Sequence, residues 1–357
     1  MIKYLGSKRV LLPRILDEVA GLAGVRTVLD LFSGTSRVGH ALKGRGYRVH
    51  ANDHNAFAAT LATAYVQADR RRWLPPARRL IAELNALPGR PGWFTETFCR
   101  RSRYLQPANG ARVDAIRERI ATLALEPELE AIALVSLMEA ADRVDSTVGV
   151  QMAYLKRWAP RSFQPLALRV PELLDGAGSA SCLEAREAAA RFPADLVYLD
   201  PPYNQHSYLG NYHVWESLVR WDKPEVYGVA MKRTDVRDRA SDFNRRGRIA
   251  AALHAVLDAV QARHLIVSFN DEGHLAVGSL RAMLAGRGAV RVAEVPHRRY
   301  IGSQIGIYNP SGEKVGRPGP RLNREHLFMV DLDAGAAVRV RSPRGAPRRR
   351  TGSGPRR

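Results

Sequence analysis

Residues 195–203 read Asp-Leu-Val-Tyr-Leu-Asp-Pro-Pro-Tyr, and this string limits the fold more than any other. The apolar run Leu196–Leu199 suits a parallel strand covered on both faces, where the alternation of apolar and polar positions disappears. Pro201 and Pro202 have no N–H to give to a ladder, so the chain must leave the sheet at the carboxyl end of that strand. In open α/β sheets ligands bind along that edge. The turn offers a carboxylate (Asp200), the carbonyl of Pro201 and the ring of Tyr203. Two acceptors beside a flat π face suit an exocyclic amine on a planar base. The same residues also suit a plain strand ended by a proline turn, so the rest of the chain must decide.

The rest follows a doubly wound α/β pattern. Residues 27–32 form a short apolar strand, and the turn Ser33-Gly34-Thr35 leads into a helix up to about Gly44–Gly46, with Ser33 or Thr35 as its cap. Tyr47–Ala51 is a second strand, ending in Asn52-Asp53-His54-Asn55 before the helical pattern Ala56–Gln67. From residue 70 to about 175 the signal is helical (Ala77–Leu87, Val113–Leu125, Glu128–Asp142), with proline-bearing breaks at Pro75-Pro76, Pro88–Pro91 and Pro160–Pro171. Strands return at Leu196–Leu199, His264–Phe269, Val290–Val295 and Leu327–Val330. A glycine-punctuated hairpin is expected around Arg299–Gly316. The spacing predicts a discontinuous catalytic domain (1–70 and 176–335), a mostly helical insertion (71–175) and a disordered arginine-rich tail (336–357).

Charge narrows the class of partner. The 357 residues carry 55 Lys and Arg against 35 Asp and Glu, a formal net charge of +20. A field of that sign draws polyanions and speeds their association. With 45% hydrophobic residues the chain can bury a full core. No apolar run approaches the ~20 residues of a membrane span, and the first residues show no secretory apolar region. Cys99 and Cys182 alone exclude a disulfide framework or a cysteine-rich metal site. A cytoplasmic protein acting on nucleic acid, without membrane or metal, is the expectation. His206 and His213 have no acid or cysteine at ligand spacing.

Three further signals would converge on Asp200 in such a sheet. The turn Asp30-Leu-Phe-Ser-Gly34 lets a ligand approach the backbone after the first strand. Asp53, at the end of the second, is placed to accept ribose hydroxyls or to cap the next helix. Lys3-Tyr-Leu-Gly-Ser-Lys8 offers a ring to stack, a tight turn at Gly6 and a cation for a carboxylate, or simply a polar start to a surface helix.

Together, in this order and spacing, these strings resemble the DNA adenine-N6 methyltransferases of the D12 class, which includes the bacterial DNA adenine methylases. The resemblance covers roughly residues 1–70 and 178–330. It implies a mostly parallel sheet of the S-adenosylmethionine-dependent methyltransferase type. It implies S-adenosylmethionine as methyl donor, held by Tyr4, Lys8, Asp30, Phe32, Gly34, Asp53 and Asp200, with a looser match at Glu184. It implies catalysis at Asp200, Pro201, Pro202 and Tyr203, where Tyr203 stacks on an adenine flipped out of duplex DNA. Ser268-Phe-Asn-Asp-Glu272 resembles a segment that follows in the family. Tyr208, Tyr212 and Trp215 either line the base pocket or pack beneath a loop. Target readout is expected in the insertion, where Arg100, Arg101 and Arg103 cluster, and in the hairpin. A cognate restriction endonuclease is a candidate partner. Methylation of RNA adenine or of cytosine N4, and a catalytically idle nucleic-acid-binding protein, are the alternatives.

Overall fold

A computed structural model describes residues 1–155, 157–298, 307–308, 314–316 and 322–333. Its centre is one seven-stranded sheet: β1 (Thr27–Asp30), β2 (Arg48–Asn52), β3 (Gly178–Ser181), β4 (Leu196–Leu199), β5 (His264–Asn270), β6 (Ala289–Arg298) and β7 (Leu322–Asp331). The spatial order is β3-β2-β1-β4-β5-β7-β6. β1, β2, β3, β4 and β5 pair parallel to their neighbours, whereas β7 runs antiparallel to both β5 and β6. The order reverses between β1 and β4, and in such sheets the crevice at the carboxyl ends of those strands takes the ligand.

The β4 residues explain why the strand is central. All four are buried. Leu196 and Tyr198 join a core layer with Val28 and Ile266, while Val197 and Leu199 join the opposite layer with Leu29 and Val267. The pleat sends successive side chains to opposite faces, so a strand sandwiched between helices must be apolar throughout.

The segment after β2 is helical: Arg70–Ala86, Pro107–Thr122 and Pro127–Arg143 are its long helices. Trp73, Phe98, Ile116 and Leu137 belong to the same buried cluster as Val28 and Leu196, so this layer shares the core of the sheet. Pro75 and Pro76 do not break the chain as the sequence suggests; they lie inside the helix Arg70–Ala86. The Asp69 carboxylate caps it by accepting from Arg71 N, and buried Trp73 and Ala77 anchor it on either side of the prolines. β3 also escapes the sequence reading, because Gly-Ser-Ala-Ser carries no apolar run. Its Gly178 is required by a close approach, since a Cβ there would stand 2.3 Å from the Val66 carbonyl oxygen.

Of the expected hairpin only Ile307–Tyr308 and Lys314–Gly316 are described, and they pair antiparallel; the other residues of 299–321 and the tail 336–357 lie outside the described residues. Among the described residues no helix is long and apolar enough to cross a membrane.

Candidate active site

The ends of β1, β2 and β4 and the amino-terminal strap meet around one cleft. It is lined by Tyr4, Lys8, Asp30, Phe32, Gly34 and Asp53 together with Asp200, Pro202 and Tyr208. Residues scattered from position 4 to position 208 thus meet at one cleft.

At the centre stands Lys8. Its Nζ lies 3.0 Å from Asp200 Oδ1 and 3.3 Å from Glu325 Oε2. Lys8 is 6% exposed and Glu325 5%, whereas Asp200 is 19% exposed, so this carboxylate–ammonium–carboxylate chain is dry at the lysine and Glu325 and open at Asp200. Burial alone would lower the Lys8 ammonium, but Asp200, Tyr203 and Glu325 hold it well above its ordinary value. Burial pushes Asp200 up to about 6, and Glu325 adds to that push while Lys8 opposes it. Asp200 is therefore ionised at neutral pH yet sits much closer to titration than an exposed aspartate. Sequence reasoning missed Glu325. The available signal was one acid entering the apolar strand end Leu327–Val330, a placement that buried strands tolerate only with a partner.

Two further acids, Asp30 and Asp53, line the same cleft. Asp53 Oδ2 accepts from Gly34 N at 3.0 Å, and Oδ1 accepts from Asn55 N at 2.9 Å. The helix Ala56–Ala62 has Asn55 as its N-cap, so Asp53 locks the glycine turn to the end of β2 instead of capping. Gly34 sits at φ +51, and a Cβ there would meet the Tyr4 ring at 3.2 Å. Asp30 is 1% exposed and accepts from Gly39 N at 3.0 Å; burial raises it to about 7 despite that hydrogen bond. The cap expected at Ser33 or Thr35 is instead Ser36, in the left-handed region and without a side-chain hydrogen bond. The tight turn from Ser33 O to Ser36 N, 2.6 Å, delays the helix to Arg37.

Aromatic residues close the other wall. Tyr4 stacks on both Tyr208 and Tyr212, with centroids 5.0 and 4.7 Å apart. Tyr212 and Trp215 are buried, and Tyr212 packs beneath the strap, its Oη accepting from Leu5 N at 2.6 Å. Tyr203 is 7% exposed. Asn270 Nδ2 donates to its hydroxyl at 2.7 Å and its ring rests 5.2 Å from that of Phe269. It therefore lies against the core beside Lys8 and does not face the cleft; Tyr208 does. Phe32 meets Phe243 edge to face. Glu184 is not brought to the cleft: it opens the helix Ala185–Arg191 and lines a neighbouring cavity with His54, Arg239 and Phe243.

Buried His213, bonded to the Gln151 carbonyl at 2.9 Å and lowered by burial to about 3, is a neutral core residue. Among the described residues no three His, Cys, Asp or Glu side chains are grouped to hold a metal.

Several buried polar atoms around the cleft have no hydrogen-bond partner among the described residues. They are Ser33 Oγ, Ser36 Oγ, Arg37 Nε and Asn55 Oδ1. In folded chains such buried polar atoms nearly always have a partner, in protein or in ordered water.

The chain is similar along most of its length to proteins named as modification methylases and type II methyltransferases. It is 29% identical over 329 residues to modification methylase StsI of Streptococcus sanguinis, covering 85% of this chain and 50% of that protein. It is 27% identical over 315 residues to type II methyltransferase M.NlaIII of Neisseria lactamica, covering 84% and 92%. Type II methyltransferase M.FokI of Planomicrobium okeanokoites is 28% identical over 323 residues, covering 84% and 50%. The chain thus spans about half the length of two of these relatives and nearly all of the third. The sequence profile of the D12 class matches residues 4–283. That range takes in the strap, the glycine turn, Asp53 and the Asp-Pro-Pro-Tyr turn that the sheet assembles into one cleft, and the chain accordingly belongs to the D12 class of N6 adenine-specific DNA methyltransferases.

Proposed function

We propose that this chain transfers a methyl group from S-adenosylmethionine to N6 of an adenine flipped out of duplex DNA, at a specific site and within a restriction-modification system. The observation that carries the reading is Asp200, held by Lys8 at 3.0 Å in a cleft shared with the Gly34 turn and Asp53. The orphaned polar atoms beside it suit a polar, flexible ligand such as the cofactor. Tyr4, Asp30, Phe32, Gly34 and Asp53 would hold that ligand, which when bound supplies an electrophilic methyl on a sulfonium.

The chain's own part is to prepare the amine. The lone pair of an adenine amine is delocalised into the ring, so it is a poor nucleophile. Asp200 and the Pro201 carbonyl would each accept one of its N–H groups, favouring a pyramidal nitrogen whose lone pair points at the methyl. Positive charge grows on that nitrogen as the bond forms, so fixed acceptors stabilise the transition state more than the ground state. Lys8 must first yield Asp200, and Glu325 is the carboxylate that keeps it while the amine binds. The adenine has to leave the duplex to reach this turn; Tyr208 is the ring that faces it, and Tyr203 would join only by turning out from Phe269.

We assign target readout to the helical layer 71–175. Arg100 and Arg101 are exposed there, and Arg103 lies 4.7 Å from the Trp158 ring centroid. The relatives named as modification methylases and type II methyltransferases motivate the restriction-modification setting, with an endonuclease as partner. Incubation with methyl-labelled cofactor, duplex DNA and RNA tests the reading. Label in duplex adenine is expected; label in RNA or cytosine, or none, overturns it.

A further inference from the structure

Beside the cleft, and sharing Arg37 with it, lies a second open cavity of about 450 Å³. It sits between the helix Arg37–Gly44 and the end of the helix Pro127–Arg143. Three guanidinium groups line it: Arg37, Arg143 and Arg169. The first two are half-buried and Arg169 is exposed. Among the described residues none of the three makes an ion pair. Arg37 Nε is buried without a hydrogen-bond partner, and Arg143 gives one donor to the Ala167 carbonyl at 2.7 Å. Like charges are crowded here in pairs. Burial lowers Arg37 and Arg143 from their ordinary values, and Arg9 lowers the first further, Arg169 the second.

Two carboxylates line the same cavity, Glu139 and Glu172. Glu139 is taken up by the Tyr65 hydroxyl and the Met1 amino group. Glu172 is exposed, and among the described residues its carboxylate makes no ion pair. Its main-chain carbonyl accepts from His40 Nε2 at 3.1 Å, and burial lowers His40, whose ring is therefore neutral. The cavity keeps a surplus of positive charge that its own carboxylates leave unpaired. A guanidinium fork matches the oxygens of a phosphate in pairs. Arg37 belongs to both cavities, so these arginines stand next to the cleft that holds Asp200. A duplex that delivers a base into that cleft brings a phosphate with every nucleotide, and the net charge of +20 draws such a polyanion. We propose that Arg37, Arg143 and Arg169 together hold one phosphate group, supplied by the DNA backbone beside the flipped-out base. Such a contact fixes the position of the strand without reading its sequence. The inference rests on the proposed duplex substrate and adds to it an anchoring site outside the cleft.

Fluorescence anisotropy of two labelled duplexes of unrelated sequence, followed across a range of salt with the full chain, tests it. Each phosphate neutralised on duplex DNA contributes about 0.9 to the slope of log affinity against log salt. Arg143→Gln/Arg169→Gln should flatten that slope by about 0.9 and weaken both duplexes by the same factor. Arg143→Lys should keep the native slope, because a point charge still meets the phosphate. Arg281→Gln, which removes an exposed arginine of the helix Val277–Ala285, should keep it as well. An unchanged slope in the double variant overturns the site, and a fall of about 1.8 overturns the sharing of one phosphate. Loss confined to one duplex overturns the phosphate contact in favour of base readout. Thermal unfolding with inorganic phosphate at fixed ionic strength separates the other source of the same group. Stabilisation of the native chain but not of the double variant, with no change in slope, overturns the duplex as source. A native chain that binds neither duplex overturns the proposed substrate and this assignment together. Native binding and methyl transfer with an unchanged slope overturn this assignment alone. A native unfolding temperature without phosphate shows that the variants are folded.

Discussion

Glu325→Gln should move the acid limb of the methyl-transfer rate to lower pH. Asp200 Oδ1 and Glu325 Oε2 both contact one ammonium nitrogen, at 3.0 and 3.3 Å, which places the two oxygens no farther apart than about 6 Å. At that separation, with an effective dielectric constant of about 20, two like charges repel by about 3 kcal/mol, or about 2 pH units. Glu325 therefore raises Asp200, and removing its charge lets Asp200 ionise more readily. Only ionised Asp200 accepts fully from the amine, so the rate climbs as pH rises through its titration near 6. In Glu325→Gln that climb should come about 1–2 units lower. Near neutral pH the same variant should be slower, because Lys8 is left with Asp200 alone and competes with the incoming amine. Affinity for the cofactor should not change. Single-turnover transfer of labelled methyl to duplex DNA, followed across this pH range, reads both effects. An acid limb that stays in place, or moves upward, would refute the coupling between the two carboxylates.

Asp200→Ala should abolish turnover while cofactor binding by calorimetry stays largely intact; retention of more than about a tenth of native turnover would sink its role. Lys8→Met leaves two buried carboxylates facing each other and should cost about 3–5 kcal/mol of stability. Thermal unfolding should show the loss, with Lys8→Met/Glu325→Gln regaining part of it but no activity. Asp53→Ala should weaken cofactor binding by about 1.5–3 kcal/mol and loosen the Gly34 turn it holds; calorimetry showing native affinity would leave it a structural clamp. Gly34→Ala places a methyl against the Tyr4 ring at a positive φ, a conformation that costs about 1–2 kcal/mol for other residues, and native cofactor affinity in that variant would count against the close approach.

The parts of the site legible in the sequence are those whose chemistry is local. Leu196–Leu199 followed by two prolines can only be a buried strand leaving its sheet, and Asp200 inherits its position from that. The strap Lys3–Lys8 and the glycine turn at Gly34 were readable as strings, while their meeting depends on strand order, which pattern alone fixes only once the resemblance supplies it. β3 was silent because its four small residues carry no apolar run, and the close backbone approach at Gly178 leaves no periodic signal. Pro75 and Pro76 misled because burial of Trp73 and Ala77 overrides the local penalty of a proline in a helix. Glu325 was invisible because it matters through what it faces across the fold, a lysine 317 positions away in sequence.

The antiparallel β7, slotted between β5 and β6, has a temporal consequence. It supplies Glu325 and pairs with β5 along its whole length, from Asn270 to His264. Such pairings close very long loops, and contacts of this sequence separation form late and slowly. A ribosome that has exposed the strap, the glycine turn and the Asp-Pro-Pro-Tyr turn has still not delivered the strand that shares Lys8. Until it does, Lys8 has Asp200 as its sole carboxylate, and the acceptor stays masked. Catalytic competence should therefore appear as a step only once β7 has been synthesised, and pulse-labelled hydrogen exchange should find the amides of β5 and β7 gaining protection together, in the same kinetic phase as methyl transfer.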